Sequence, residues 1–443
     1  MKIQLSDHFT YSKLFRFTLP SIAMMVFTSI YGVVDGYFVS NFAGKTAFAA
    51  INLIMPFVMV LGGMGFMIGT GGTALVSKVL GQRAKATANR YFSMMIEVTL
   101  LLGILLGVLG VVFMEPVARF LKATDEMMAD CVLYGRIVTG FTVTFMLQNV
   151  FQSFLIAAEK PKLGLIATIA AGVTNMVLDA LFVGVFRWGV AGAAVATGLS
   201  QCVGGVFPLI YFLRPNSSLL RFKPAKLEWK PILRACANGS SELMSNVSSS
   251  LVSILYNFQL LRYYGENGVS AYGVLMYVQF IFIAIFIGYS IGCAPVVGFH
   301  YGAENHGELK NMLGKSVLLM GIGGIVLTAL AQGLAEPLAH IFVGYDADLY
   351  TLTVHAFRLF SFTFLLAGFN IFASSFFTAL NNGGVSAAIS FLRTLVFQCA
   401  CILILPELIK VDGIWWSNFI AEIGSFLVSL LFLLGMRKKY RYF

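Results

Sequence analysis

Three observations predict an all-α polytopic membrane protein of twelve transmembrane helices, arranged as two six-helix bundles. The first is composition: 58% of the 443 residues are hydrophobic and 11% are charged, against about 25% charged in an average soluble domain. A water-soluble fold of this size could not cover its own surface. The second is spacing, because apolar runs near the roughly 20 residues that a membrane-crossing helix needs recur twelve times between charged or Gly/Pro-rich connectors. The third is internal repetition. At an offset of 221, Gly81 meets Gly302 and Glu115-Pro116 meets Glu336-Pro337; at 222, Arg136 meets Arg358; at 224, Gly189-Val190 meets Gly413-Ile414. A six-helix unit is used twice, and its even number of spans makes the copies enter the membrane in the same direction, a parallel repeat.

The first run, 14–40, is about twice as long as the core of a signal peptide, so it is expected to remain as a helix. It carries Pro20, fifteen residues before Asp35; a proline removes one backbone hydrogen bond and gives this helix a bending point. The second run, 48–77, joins the first in a Met- and aromatic-rich lining that includes Met64, Met67 and Tyr31. Such surfaces adapt to varied ligands, and aromatic faces attract organic cations. The third, 91–114, holds Glu97 and the pair Gly103-x-x-x-Gly107, read with Gly65-x-x-x-Gly69 as close helix contacts. The fourth, 131–157, holds Arg136; the fifth, 163–186, holds Asn175 and Asp179; the sixth is 190–213.

The segment 214–235 interleaves six basic residues with Pro215, Pro224 and Pro231 and is the expected cytoplasmic linker, dividing an N-terminal lobe, 1–213, from a C-terminal lobe, 236–443. The seventh run, 236–264, is unusually polar, with Glu242, Asn246, Ser248, Ser249, Ser250, Tyr256, Asn257 and Gln259. It either joins helices or lines a cavity. The remaining runs fall near 269–298, 314–335, 350–380, 384–406 and 413–436, the last holding Glu422.

The net charge of +10 would suggest nucleic acid in a soluble protein, but 21 of the 30 basic residues fall on the side of the N-terminus, six on the other, and three within spans. That bias places both termini in the cytoplasm of a multi-pass cell-membrane protein and accounts for the charge by orientation, with no nucleic-acid partner expected. Cys202, Cys293, Cys399 and Cys401 lie in apolar stretches without a CxxC pair and read as small core residues. Gly288-Tyr289-Ser290-Ile291-Gly292 has no strand before it, and Gly314-Lys315-Ser316 lacks the upstream glycine of a P-loop, so neither a hydrolase nor an ATPase is encoded.

Five carboxylates lie inside the runs: Asp35, Glu97, Asp179, Glu242 and Glu422. Each is costly in hydrocarbon unless it faces a partner or a cavity. Asp35 and Asp179 share the same half and the same depth, roughly 25–29 Å from the cytoplasmic edge at 1.5 Å per residue. Asn175 lies one helical turn before Asp179 and on its face. Two carboxylates brought together in a low-dielectric pocket cannot both ionise cheaply, so such a pair can load and release a proton. The alternative is that each acid bonds separately to its neighbours and fixes packing. Glu97 and Glu242 sit in the inner third, within reach of cytoplasmic water, and Glu422 has no evident partner.

These residues resemble the multidrug and toxic compound extrusion (MATE) family. The resemblance runs through the first helix, FTLPSIAMMVFTSIYGVVDGYFV, then VSKVLGQRAKATAN, NMVLD, GVAGAAVATGLSQ and APVVGFHYGAEN, in order along the chain. It implies two six-helix lobes in a V around a central cavity and an exporter of cationic or amphipathic compounds in exchange for protons or sodium. In one branch of bacterial and archaeal members the cation site is an Asp in helix one and an Asn-x-x-x-Asp in helix five, which Asp35, Asn175 and Asp179 match. Thr197 is similar to a neighbouring threonine of that site, and Pro20 matches the hinge of the first helix. Asp35 and Asp179 would be metal ligands only if the coupling ion is sodium. The chain departs from the branch with a glutamate in mid-helix seven and an aspartate in helix ten, and it has Ala158-Glu159 where a glycine is usual.

The expected function is therefore a cation-coupled antiporter, with protons as the first choice and sodium as the variant. It needs no cofactor and no ATPase subunit, acts as a monomer within the lipid bilayer, and exports organic cations or amphiphiles. Glu242, Asn246, Tyr256 and Asn257, with Tyr31, Met64 and Met67, are the expected lining of the substrate cavity. A flippase for a lipid-linked or polar metabolite would share this architecture, and a membrane-embedded enzyme is the remote alternative.

Overall fold

The computed structural model describes residues 3–443, with every side chain except those at positions 40, 45 and 266. Among the described residues the chain forms twelve long helices: α1 (Tyr11–Ala43), α2 (Thr46–Gly81), α3 (Lys85–Phe120), α4 (Asp125–Gly140 continued by Thr142–Ala157), α5 (Pro161–Val185), α6 (Gly189–Leu213), α7 (229–264), α8 (Asn267–Gly302), α9 (His306–Val343), α10 (Ala347–Ala379), α11 (Gly383–Ile409) and α12 (Asp412–Tyr440). Most overrun the apolar runs by several residues, as α3 does at both ends. The reason is that a helix continues through the headgroup region, where long basic side chains extend into water.

Two helices depart from a simple span. The halves of α4 meet at 56°, at the sequence Thr139-Gly140-Phe141-Thr142. Thr139 Oγ1 donates to Gly135 O at 2.7 Å and Thr142 Oγ1 to Thr139 O at 2.7 Å; these threonine hydroxyls compete for backbone carbonyls beside a weak helix former. α7 is less apolar than its neighbours and falls outside the set of helices that pass as membrane spans by composition. It is nonetheless long enough to cross, about 54 Å at 1.5 Å per residue. It turns into α8 at Gly265, whose φ of 63° and ψ of −148° suit a residue without Cβ.

Packing follows the small residues. Along α3, Gly103, Gly107 and Gly110 press on Val143, Thr139 and Thr142 of α4, while Leu101, Ile104, Leu105, Val108 and Val112 are exposed on the opposite face. Gly65 and Gly69 of α2 likewise abut the backbone of Met146 and Val150. Both glycine pairs are helix contacts, as their spacing predicts.

The lobes meet through glycines in the half of the membrane nearest the basic face. Gly71 and Gly239 oppose Ala235 O and Met67 O, and Gly81 and Gly302 oppose Phe299 O and Lys78 O, so closely that even a methyl group would strike backbone. Gly81 and Gly302 are the pair that the internal repeat superposes, so a pseudo-two-fold axis passes through this seam. Gly288 completes it against Ile22. A segment before α1 straps the same face. Leu5 N donates to Glu159 Oε1 of the N-lobe and Phe9 N to Glu308 Oε1 of the C-lobe, each at 2.9 Å, with Leu5 and Phe9 fully buried. Glu159, in the connector between α4 and α5, thus anchors one end of the strap.

Candidate functional site

Two polar regions are buried, one in each lobe. In the N-lobe, α1 brings Asp35 against Asp179 and Asn175 of α5, close enough to interact directly with both. Asp179 is fully buried and Asn175 is 2% exposed. Tyr134 of α4 and Thr197 of α6 complete the cluster, the tyrosine hydroxyl lying near Thr197 and both carboxylates. Asp35 Oδ1, both Asp179 oxygens, Asn175 Nδ2 and Thr197 Oγ1 complete no hydrogen bond among the described residues. Buried polar atoms are nearly always paired. Five in one cluster mark a place for a proton, a water or a cation, because two neighbouring ionised carboxylates repel and one proton or ion between them relieves it.

The backbone is irregular beside these acids. α1 passes into a π-helical turn at Val39–Ala43, four residues after Asp35, and α5 does so at Ala180–Val185, directly after Asp179. Such turns loosen the i→i−4 ladder and are frequent at functional sites. Pro20 lies within helix that runs on unbroken.

Among the residues proposed for the ion site, Asp35, Asn175, Asp179 and Thr197 are brought together. Tyr134 is the member sequence reasoning missed; a tyrosine in an apolar helix carries no periodic signal that separates it from core. Tyr31 is placed with this cluster too, near Asp35 and Gln148 and packed on Phe27 with ring centroids 6.0 Å apart.

The C-lobe holds a cavity of about 390 Å³ bounded by α7, α8, α10, α11 and α12. Of the proposed substrate-cavity residues, Glu242, Asn246 and Tyr256 line it. Tyr31, Met64, Met67 and Asn257 do not: Met64 packs against the N-lobe core, the Met67 carbonyl meets Gly239 in the seam, and Asn257 is exposed on α7. The polar run of α7 both lines the cavity and joins helices, since Gln259 Nε2 donates to Ile402 O at 3.1 Å.

Glu422, without an evident partner in the sequence, has one here. Arg393 Nε and Nη2 lie 2.9 and 2.8 Å from Glu422 Oε1, and Asn370 Nδ2 donates to Glu422 Oε2 at 2.6 Å. The signal was present in the sequence as two in-span charges of opposite sign on consecutive helices. Glu97 is structural: it accepts from Ala225 N of the linker at 3.3 Å. Among the described residues no three His, Cys, Asp or Glu side chains form a metal-binding group.

Comparison with known proteins agrees with this arrangement. The MatE family model matches residues 20–181 and 243–402. Multidrug export protein MepA of Staphylococcus haemolyticus is 23% identical over 99% of this chain and 97% of its own length; the protein of the same name from Staphylococcus saprophyticus is 24% identical over 99% and 98%. Among solved structures, a MATE in complex with MaL6 and an outward-facing multidrug resistance MATE family transporter of the MOP superfamily each superpose with a TM-score of 0.89 at 22% identity, covering 96% of both chains. At that identity the superpositions speak for the fold.

Proposed function

The chain belongs to the MatE family, as a multi-pass cell-membrane secondary transporter and not an enzyme, and on that premise we propose that it is a proton-coupled antiporter exporting organic cations and amphiphiles. The observation that carries the coupling is the cluster of unpartnered polar atoms at Asp35 and Asp179. The names of the MepA relatives support multidrug export as the activity.

The glycine seam closes the lobes on the basic, cytoplasmic side, so the structure corresponds to an outward-facing state. Protons arriving from outside load the Asp35/Asp179 pair and reduce its charge. α1, irregular at Val39–Ala43 and deprived of one hydrogen bond at Pro20, rearranges, and the bound compound leaves to the exterior. Release of the proton inward resets the cycle. The membrane potential contributes about 2.3 kcal/mol per elementary charge per 100 mV to this step, before any pH gradient is added.

Proteoliposomes loaded with a fluorescent organic cation test the reading under an imposed pH gradient and then a sodium gradient, with Asp35→Asn and Asp179→Asn beside wild type. Efflux should follow the pH gradient and fall to background in both variants. Efflux driven by sodium alone assigns the pair to sodium, and full activity in both variants removes it from the coupling mechanism.

A further inference from the structure

Three ionisable side chains line the C-lobe cavity, Glu242, Arg393 and Glu422, and two of them are paired with each other. Glu422 is saturated: Arg393 donates to both of its oxygens, Asn370 adds a bond to Oε2, and the Glu422 side chain is 3% exposed. Glu242 has no ion-pair or hydrogen-bond partner for its carboxylate among the described residues. With Arg393 and Glu422 cancelling, an ionised Glu242 leaves one negative charge in the lining. Such a charge inside a membrane protein needs a counter-ion.

The rest of the cavity fits an organic body. On one side, Met276, Phe280, Ile283, Ile287 and Ile291 make an apolar stripe along α8, and Tyr256 stacks on Tyr272 with ring centroids 5.2 Å apart and planes 5° from parallel. On the other side are the hydroxyls and amides of α7, α10 and α11. Asn370 Oδ1 and Ser290 Oγ, from residues 0% and 2% exposed, line the cavity without a hydrogen-bond partner, as does Gln279 Oε1. They are acceptors, and in Ser290 also a donor, left for a guest. The volume of about 390 Å³ lies within the range of small-molecule sites.

Position completes the case. Glu242 is at the deep end, where Gly63 of α2 presses on Leu243 and Asn246. The rim at Phe280 is exposed and faces the N-lobe, Ser29 Oγ of α1 donating to Phe280 O at 3.2 Å. A guest entering from the cleft between the lobes therefore passes apolar surface before its charge meets Glu242.

We propose that this cavity is a binding site selective for organic cations bearing a single positive charge, with Glu242 as their counter-ion and the Arg393–Glu422 pair holding the site to one charge. The proposal takes over from the previous reading only that organic cations are exported. The pair withholds a second carboxylate from the guest. Removing the guanidinium alone exposes Glu422 and makes the site suited to a dication. Removing both partners leaves the site at one negative charge.

The test is equilibrium binding to the purified full-length protein without any gradient, with ethidium as monocation and methyl viologen as dication. Ethidium should bind wild type and the Arg393→Gln/Glu422→Gln double variant within about threefold of each other, less than one kcal/mol. Glu242→Gln should weaken ethidium at least tenfold, and Glu242→Asp should restore most of it. Arg393→Gln should shift preference towards methyl viologen by tenfold or more; should that variant not fold, Glu242→Gln/Arg393→Gln, with Glu422 as its one free acid, should recover ethidium binding relative to Glu242→Gln. Undiminished ethidium binding by Glu242→Gln, or its loss in the Arg393→Gln/Glu422→Gln variant, overturns the proposal. The coupling reading is judged by gradient-driven efflux in Asp35→Asn and Asp179→Asn, and this site by equilibrium ethidium binding in the Glu242 and Arg393 variants, so the failure of one and the failure of the other are seen in different measurements.

Discussion

In the N-terminal lobe the polar atoms around Asp35 and Asp179 are buried and lack partners; at the matching level of the C-terminal lobe, Tyr256 of α7, Gln398 of α11 and Asn418 of α12 are neutral and bonded in series, Tyr256 to Gln398 at 3.2 Å and Gln398 to Asn418. An offset of 222 sets Asn257 where the first lobe has Asp35. The one buried charge pair of the second lobe that the structure describes, Arg393–Glu422, is closed on itself. One bundle plan therefore supports two kinds of polar interior. Groups already satisfied in the protein hold helices together, whereas groups left unsatisfied bind what the protein must pick up and release.

The comparison breaks most visibly at the acids. Asp179→Asn should abolish gradient-driven efflux while leaving stability near wild type, since the buried carboxylate it removes has no partner to lose; thermal unfolding beside transport measures both. Next in size is the seam the two lobes share. Gly81→Val and Gly302→Val should each keep the cytoplasmic side from closing, and by the pseudo-two-fold relation they should behave alike. Accessibility of a cysteine placed at Lys78 to a membrane-impermeant thiol reagent on the cytoplasmic side, expected to rise in both, reports it.

The closed pair of the C-lobe should answer in stability instead. Glu422→Gln alone leaves a buried guanidinium unpaired and should cost about 3–5 kcal/mol, whereas replacing both partners together should cost much less. Denaturation of the two variants separates them, and equal losses would count against a pair closed on itself. The smallest effect is expected at the strap. Glu308→Gln weakens the acceptor for Phe9 N and the contact with His8 Nδ1, 2.7 Å away, worth about 1–3 kcal/mol in the local anchoring of residues 3–10. Faster proteolysis there, with α9 unchanged, is the measurement.

Reading the sequence reached the acid pair because charge in an apolar run is rare and depth can be counted from the nearest basic residue. It reached Glu242 and the polar face of α7 for the same reason. It did not reach Tyr134, which only the packing of α4 against α6 and its nearness to Asp35 and Asp179 distinguish from core, and it left Glu422 alone although Arg393 was in view. Pairing between α11 and α12 depends on helix rotation about the long axis, and a rotation of one residue, about 100°, would turn the two apart. Composition likewise does not place Met64 and Met67, which lie outside the C-lobe cavity: a methionine's fit to lipid, core or ligand is equal by composition.

The sequence by itself determined the membrane class and the duplication and set an expected orientation, because these follow from transfer free energy summed over a segment, from landmarks matched at a fixed offset and from charge counted by loop. The tertiary structure alone decided which half-membrane the lobes close on, which carboxylate is free and which is neutralised, and where the cavity lies. Those depend on distances of a few ångströms between helices far apart in the chain, where a glycine permits backbone contact and a guanidinium 2.8 Å away cancels a charge that sequence position leaves uncompensated.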